Sequence, residues 1–305
     1  MKITILGGCG FLGSHLAEAL LLENHSITIF DHLNADRRNL KHIENKTTFL
    51  GGDFLNVNDI AQAISGTEIV VHLISSTLPG NSLKNPAYDV ETNVIASINL
   101  FEECIKAGVR KVIFISSGGT VYGIPQHLPI QEIHPLNPIS PYGISKMTIE
   151  KYLGLYSYHY GLDYAVLRLS NPYGERQNPN TGQGVIASWI HRVRNGEPIE
   201  IWGDGEVVRD YVYIKDAIEA IKIATLANLD RKVLNVGSGK GYSLNQLHGI
   251  MENAIGTKIP VIHKNNRKVD VPVNILDVTA IKDMFSWQAR TSLEDGLKKM
   301  WQDLA

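Results

Sequence analysis

The sequence has few cysteines, no excess of either charge and no long apolar run. Of 305 residues only Cys9 and Cys104 are cysteines, and no Cys/His cluster has the spacing of zinc ligands. The formal net charge is −2 and 20% of residues are charged, so we expect no nucleic-acid or membrane partner. The apolar run after Met1 is too short for a signal peptide or a spanning helix. These absences favour a metal-free cytoplasmic protein that binds a small molecule.

Short apolar runs alternate with helix-length segments in the first half of the chain, which is typical of βαβ units. We predict an α/β fold with a doubly wound, parallel Rossmann sheet. The predicted strands are Lys2–Leu6, Ser26–Phe30, Thr47–Leu50, Ile69–Leu73, Lys111–Ser116 and Tyr164–Leu169. The predicted helices between them are Phe11–Leu22, Val57–Ile64, Tyr88–Ala107 and Pro141–Tyr160.

The texture changes after Asn171, where turn residues break the chain into shorter elements. We therefore predict a cofactor domain over residues 1–170, with 212–236 returning to it. Residues 171–211 and 237–305 are predicted to form a smaller substrate-binding region.

A glycine-rich loop follows the first predicted strand and opens the first helix, the context of a dinucleotide site. Gly7 permits the tight turn, Gly10 lets the backbone approach a pyrophosphate, and Gly13 lets the helix pack close to the strand. Phe11 and Leu12 begin the helix, whose positive end attracts the phosphates. We assign packing, and no chemistry, to Cys9 within this loop.

An acidic residue at the end of the second strand would bind the adenosine ribose, and Asp31 stands 18 positions after Gly13. Its carboxylate would repel a 2′-phosphate, which favours NAD over NADP; the competing interpretation is a plain strand-end cap. Further predicted cofactor residues follow the third and fourth strands at the same sheet edge: Asp53, Phe54, Leu73 and Ser75.

Tyr142 and Lys146 stand four residues apart on a predicted helix and therefore share one face. A lysine cation and an oxidised nicotinamide both favour the phenolate, so Tyr142 could take a hydroxyl proton while hydride leaves the same carbon. The pair follows a serine-rich strand end that begins at Ser116. The pattern indicates hydride transfer.

These motifs together resemble the NAD-dependent epimerase/dehydratase family, of the extended short-chain dehydrogenase type, and look most like its UDP-glucose 4-epimerases. The resemblance rests on the glycine loop, Asn93, the Ser116–Gly123 segment, the Tyr142/Lys146 pair and the Asn171–Gly174 segment. It implies NAD as cofactor, with Asn93 and Ser116 among its contacts, and a homodimer through the helices around Tyr88–Ala107 and Pro141–Tyr160.

The resemblance also assigns the nucleotide. It implies that Asn171 reaches the sugar or its phosphate, that Arg209 contacts the diphosphate, and that Arg267 and Asp270 hold phosphate and ribose. The alternative for Arg267 and Asp270 is a surface ion pair.

One position departs from the family pattern. The Ser or Thr expected three residues before Val121 is Gly118, so Ser117 or Thr120 would have to supply the hydroxyl, and we favour Thr120. The residues before Val121 are Gly119 and Thr120, where the resembling dehydratases carry Asp-Glu, so a dehydratase is not expected.

The leading hypothesis is a nucleotide-sugar 4-epimerase, on UDP-hexoses, that acts through a transient 4-keto sugar. The alternative is a 4-ketoreductase of a nucleotide-linked 4-keto-6-deoxysugar, and a further one is a non-catalytic NAD-sensing regulator. Family analogy suggests a role in surface polysaccharide or galactose metabolism.

Overall fold

The computed structural model describes residues 1–265 and 271–303, which form two compact units. The first unit is made of Met1–Ser117, Ser140–Arg168 and Ile218–Leu234. The second is made of Gly118–Ile139, Leu169–Ala217 and Asn235–Ala305. The second unit thus includes Gly118–Ile139, although the sequence predicts a cofactor domain over residues 1–170.

A seven-stranded sheet in the order β10-β6-β5-β4-β1-β2-β3 runs through the first unit. Its strands are β1 (Lys2–Leu6), β2 (Ser26–Asp31), β3 (Thr47–Gly51), β4 (Ile69–His72), β5 (Lys111–Ser117), β6 (Asp163–Leu169) and β10 (Lys232–Val236). The pairs from β3 to β5 are parallel, so their carboxyl ends meet along one edge. Strands β2 and β3 lie on one side of β1, and β4 and β5 lie on the other, so the strand order reverses at β1. Doubly wound sheets bind their ligands at such a point. The predicted Rossmann fold is confirmed.

Ten α-helices lie within the described residues. They are α1 (Phe11–Leu22), α2 (Val57–Ala63), α3 (Pro86–Asp89), α4 (Ala96–Ala107), α5 (Pro141–Tyr160), α6 (Val185–Arg194), α7 (Ile214–Leu226), α8 (Leu244–Ile255), α9 (Thr279–Phe285) and α10 (Leu293–Asp303). Two 3₁₀ segments span Arg38–Lys46 and Ser82–Lys84, and a π-helix, Val90–Ile95, joins α3 to α4. The predicted single helix over Tyr88–Ala107 is therefore interrupted by a π segment.

The strands of the sheet are apolar because helices cover both faces, and β4 and most of β5 are fully buried. Lys111 on β5 is a charged side chain that lies inside this core. Its Nζ donates hydrogen bonds to the carbonyl oxygens of Ala224 (3.2 Å) and Ala227 (2.7 Å) at the end of α7. Burial lowers the pKa of Lys111 to about 8. Lys111 thus satisfies helix-end carbonyls that would otherwise be buried without a donor.

The second unit contains a four-stranded sheet and a two-stranded one. Its strands are β7 (Asn171–Tyr173), β8 (Ile199–Trp202), β9 (Val208–Tyr213), β11 (Gly241–Ser243), β12 (Val261–Lys264) and β13 (Val273–Asn274). Asp210 on β9 is fully buried, and its carboxylate accepts hydrogen bonds from the amides of Ser238 (2.8 Å) and Gly239 (3.1 Å). This carboxylate fixes the turn before β11 against β9. Among the described helices, none is long and apolar enough to cross a membrane.

Candidate active site

The glycine loop between β1 and α1 has the geometry of a phosphate cradle. Gly7 has φ +83°, a conformation that favours glycine, and the Gly10 amide donates to the Gly7 carbonyl at 3.2 Å. A Cβ at Gly13 would lie 2.4 Å from the Gly7 oxygen, whereas one at Gly10 would meet only that oxygen, at 3.3 Å. Gly13 is required for packing, and Gly10 keeps an open face at the helix N-terminus. The loop therefore fits a dinucleotide pyrophosphate.

Asp31 ends β2 beside this loop. Its Oδ2 accepts a hydrogen bond from the Cys9 amide and its Oδ1 one from the His32 amide, both at 2.9 Å. The carboxylate is thereby held where a ribose diol bound over the loop would meet it. Burial, followed by the negative charge of Asp31, raises the pKa of the Cys9 thiol to about 12, which agrees with a packing role for Cys9.

The other predicted cofactor residues line the same sheet edge. Asp53 is fixed after β3 by its own Oδ1, which accepts from the Leu55 amide at 2.9 Å, and Phe54 is buried against the ring of His72 at 5.2 Å. After β4, the Leu73 amide donates to the Leu6 carbonyl at 3.0 Å and so continues the sheet toward Ser75. The order of the strands brings these segments beside the glycine loop.

Tyr142 and Lys146 lie on the first turns of α5, which begins at a Ser140 cap whose Oγ accepts from the Gly143 amide at 3.2 Å. Lys146 is 5% exposed; its Nζ donates to the Ile115 carbonyl at 2.9 Å and lies 5.7 Å from the centre of the Tyr142 ring. Burial lowers the pKa of Lys146 to about 8. The ammonium is thus fixed next to the phenol, as the spacing predicts.

The hydroxyls of Ser75 and Ser117 lie close enough to the Tyr142 phenol to lower its pKa, and the Ser75 hydroxyl itself donates to the Thr77 carbonyl at 3.1 Å. Burial, and then the charge of Asp89, raises the pKa of Tyr142 to about 12, while the two serine hydroxyls lower it. The phenol therefore ionises less readily than a free tyrosine even with the Lys146 ammonium beside its ring, and a further positive charge would favour the loss of its proton.

The two candidates for the missing hydroxyl at Gly118 differ in their surroundings. Ser117 contacts Tyr142, whereas the Thr120 Oγ1 is buried and has no hydrogen-bond partner among the described residues. Gly118 itself accepts a hydrogen bond from Asn274 Nδ2 through its carbonyl oxygen, at 2.9 Å. These contacts favour Ser117 over Thr120, the reverse of our preference from the sequence.

Two predicted cofactor residues use their side chains elsewhere. The Ser116 hydroxyl donates to the buried Glu150, so its proton is not available to a cofactor. The Asn93 amide group accepts from the Ser76 amide at 3.0 Å and donates to the Asp89 carbonyl at 3.0 Å. Asn93 therefore positions the segment after β4 from within the π-helix.

A buried carboxylate next to the Tyr142/Lys146 pair, Asp89, was not among the residues predicted from the sequence. Both of its oxygens accept hydroxyl hydrogen bonds, from Thr77 and from Ser145. The signal available in the sequence was an acidic residue on the face of the predicted helix that carries Asn93, four residues before it.

A second candidate site lies within the second unit, in an open cavity between β7, β9 and the start of α6. Asn171, Arg209 and Trp202 line it together with apolar side chains. Asn171 Nδ2 donates to the Asp210 carbonyl at 3.0 Å, and Arg209 Nη1 donates to the Val271 carbonyl at 2.7 Å. The cavity thus combines one guanidinium with aromatic and amide groups, a set that suits a nucleotide.

Two substrate-binding predictions, Arg267 and Asp270, lie outside the described residues. Within residues 1–265 and 271–303, no group of three or more His, Cys, Asp or Glu side chains could hold a metal ion.

The chain is similar along nearly its whole length to known enzymes. A putative UDP-glucose 4-epimerase of Methanocaldococcus jannaschii is 38% identical over 98% of this chain and 96% of its own length. A dTDP-4-dehydro-6-deoxyglucose reductase of Escherichia coli is 30% identical over 98% of this chain and 96% of its own. The crystal structure of a Thermotoga maritima UDP-glucose 4-epimerase with UDP-glucose superposes with a TM-score of 0.94, at 37% identity, and covers 100% of this chain and 98% of that one.

The model of the NAD dependent epimerase/dehydratase family matches residues 3–237, a span that includes the glycine loop and the Tyr142/Lys146 pair. The chain belongs to this family, as its motifs predict.

Proposed function

We propose that this protein is an NAD-dependent nucleotide-sugar 4-epimerase that acts on UDP-hexoses. The observation that carries the proposal is the Lys146 ammonium, which the Ile115 carbonyl fixes 5.7 Å from the centre of the Tyr142 ring, with the Ser75 and Ser117 hydroxyls beside the phenol. The glycine loop and Asp31 provide the dinucleotide site at the same sheet edge. The relatives named as UDP-glucose 4-epimerases support this reaction.

In the proposed mechanism, NAD held by the glycine loop and Asp31 would supply the acceptor and then the donor of the hydride at carbon 4 of the sugar, first on one face and then on the other. Tyr142 takes the proton of the 4-hydroxyl as the hydride leaves, and gives it back when the hydride returns. Lys146 stabilises the phenolate by its charge, and the Ser117 hydroxyl orients the reacting oxygen and the phenol. Because proton and hydride both return, no cofactor is consumed.

For the cofactor we propose three groups of contacts. Gly7, Gly10, Phe11, Leu12 and Gly13 would hold the pyrophosphate through main-chain groups and the start of α1. Asp31, Asp53 and Phe54 would hold the adenosine half. Leu73, Ser75, Asn93, Ser116, Tyr142 and Lys146 would surround the nicotinamide half, with Asn93 acting through the segment that it positions.

For the substrate we propose that the cavity of the second unit binds the nucleotide. Arg209 would contact the diphosphate, Asn171 the sugar or its phosphate, and Trp202 would pack against the base. Residues 171–211 and 237–305, apart from those not described, belong to that unit and supply its sheets.

The ketoreductase remains the second candidate because a reductase is among the relatives. A reductase consumes one reduced cofactor per product, whereas the epimerase consumes none. Gly119 and Thr120 provide no carboxyl group for the elimination that a dehydratase performs, so we do not propose a dehydratase.

We also propose a homodimer through α4 and α5. Exposed apolar side chains follow one stripe of α5, at Ile144 (47% exposed), Leu155 (47%) and Tyr158 (79%), and Tyr88 and Ile95 are exposed on the neighbouring segment. A Leu155→Glu, Tyr158→Glu double variant should elute as a monomer in light scattering, where the unchanged protein elutes as a dimer. A monomeric unchanged protein would refute this assembly. A cytoplasmic location and a role in surface polysaccharide or galactose metabolism complete the proposal.

The testing experiment is a proton NMR time course with UDP-glucose, UDP-galactose and their N-acetyl analogues, without added reduced cofactor. Interconversion of one pair to the same ratio from both sides is expected. Unchanged spectra, with reduced cofactor oxidised only when a nucleotide-linked 4-keto-6-deoxysugar is supplied, would instead establish the reductase. Tyr142→Phe is the matched control, since it keeps the ring and removes the hydroxyl.

A further inference from the structure

Asp89 is a buried carboxylate that joins three elements around the catalytic pair. It is 0% exposed at the end of α3. Its Oδ1 accepts from Thr77 on the segment after β4, and its Oδ2 accepts from Ser145 on α5. Each of the two carboxylate oxygens therefore has a hydroxyl partner. Asp89 thus fixes α5 against the segment that carries Ser75.

The position of Ser145 connects Asp89 to both catalytic groups. Ser145 precedes Lys146 directly and stands three residues after Tyr142, one turn along the same helix. The negative charge of Asp89 raises the pKa of Tyr142, and it also raises the pKa of Lys146 against the effect of burial. Both effects have the sign expected of a nearby buried anion.

Two carboxylates raise the pKa of Lys146, Asp89 first and then Glu150, and Glu150 has a cationic partner of its own. Glu150 forms a buried ion pair with Arg168, with 2.7 Å between Oε2 and Nη2. Burial lowers the pKa of His72 to about 3, so its ring is neutral at physiological pH. Lys146 donates to a neutral carbonyl, and the described donors to Asp89 are uncharged hydroxyl and amide groups. Asp89 and Lys146 are therefore two opposite buried charges in one site, each hydrogen-bonded to neutral partners.

We propose that Asp89 is the counter-charge of Lys146 and a positioning residue that couples the protonation of Tyr142 to the redox state of the bound cofactor, an inference that rests on the proposed function. With Tyr142 protonated, the charges of Asp89 and Lys146 cancel. Tyr142 loses its proton when an oxidised nicotinamide adds one positive charge, since the phenolate restores the balance. Tyr142 keeps the proton when the nicotinamide is reduced and neutral, which is the state in which the keto-sugar must wait for its hydride.

The test compares NAD⁺ with NADH binding in a Tyr142→Phe background, where the phenol cannot adjust its charge. Asp89→Asn in this background should weaken NAD⁺ binding relative to NADH binding on the order of tenfold, because only NAD⁺ brings a positive charge. A purely structural role would weaken both cofactors alike. Glu91→Gln, an exposed acid in the adjoining π-helix, is the control and should leave the ratio of the two dissociation constants unchanged. An unchanged ratio in the Asp89→Asn variant would overturn the proposal.

A second measurement needs no cofactor, and it tests the proposal even if the Asp89→Asn variant in the Tyr142→Phe background folds poorly. Lys146→Met leaves Asp89 buried without its counter-charge, so adding Asp89→Asn should raise the melting temperature of Lys146→Met. Additive losses in the two single variants would contradict the pairing. Neither measurement depends on sugar turnover, so failure of the NMR assay with an intact binding ratio would reject the proposed reaction and leave the Asp89 inference standing.

Discussion

Ser117→Ala tests which hydroxyl replaces the family's Ser or Thr at Gly118. The change removes one of the two serine hydroxyls that lower the pKa of the Tyr142 phenol. A donor to a developing charge in an active site contributes about 2.7–4 kcal/mol, so kcat should fall roughly 100- to 1000-fold. Because the Ser117 hydroxyl lowers the pKa of Tyr142, its loss raises that pKa, and the acid limb of the pH profile should move to higher pH. Ser117→Thr keeps the hydroxyl and should retain activity within about tenfold.

Thr120→Val is the matched comparison, and it predicts an effect on a different quantity. The Thr120 hydroxyl is buried without a partner among the described residues, and such a group costs about 1–3 kcal/mol. Replacement by the isosteric valine should therefore raise the free energy of unfolding by up to that amount.

Activity of all three variants is measured by the NMR time course and stability by urea denaturation. The assignment of the hydroxyl to Ser117 is wrong if Thr120→Val loses more activity than Ser117→Ala. It is also wrong if the acid limb of the pH profile of Ser117→Ala stays in place. The first result would restore Thr120 as the group that orients the reacting oxygen.

Three further predictions concern the scaffold. Gly10→Ala should fold normally but weaken NAD binding, whereas Gly13→Ala should also lose stability, because its methyl would lie within 2.6 Å of loop backbone atoms; calorimetry and thermal unfolding separate the two. Arg168→Met leaves Glu150 buried and unpaired and should cost about 3–5 kcal/mol in urea denaturation, with part recovered by adding Glu150→Gln. Burial lowers the pKa of Lys111 from 10.5 to about 8, so the unfolded chain binds more protons than the folded one between those pH values. The free energy of unfolding, relative to that of Lys111→Met, should therefore rise by about 2–3 kcal/mol from pH 8 to 10.5. A difference between the two proteins that does not change with pH would contradict this.

Helix α5, whose predicted bounds match the structure to the residue, has local signals at both ends. α5 starts at the Ser140 cap with Pro141 at its first position, and it stops at Gly161, which has φ +72°. Strand ends were predicted within one residue for β1 to β6, because each strand is a short apolar run between polar or glycine residues. Where the cause of an element is local, the sequence pattern was sufficient.

The π-helix, in contrast, gave no recognisable pattern. Thr92 Oγ1 donates to the Tyr88 carbonyl at 2.7 Å and Ser97 Oγ donates to the Asn93 carbonyl at 2.5 Å, so side chains occupy carbonyls of their own helix. An apolar periodicity cannot reveal that competition, and the predicted helix therefore ran through it. The widened turn places Asn93 where it holds Ser76, a placement typical of π segments at functional sites.

The residues of the candidate active site also differ in whether a local pattern or a long-range contact brings them together. Tyr142 and Lys146 were recognisable because their spacing of four is a helical contact. Asp89 was not, since its partner Ser145 lies 56 positions away and no spacing rule joins a serine to an aspartate across that distance. Yet Asp89 raises the pKa of Tyr142, whereas the serines lower it. The spacing of Tyr142 and Lys146 thus identifies the pair, whereas the carboxylate and the hydroxyls that shift the pKa of Tyr142 come from residues that only the fold brings together.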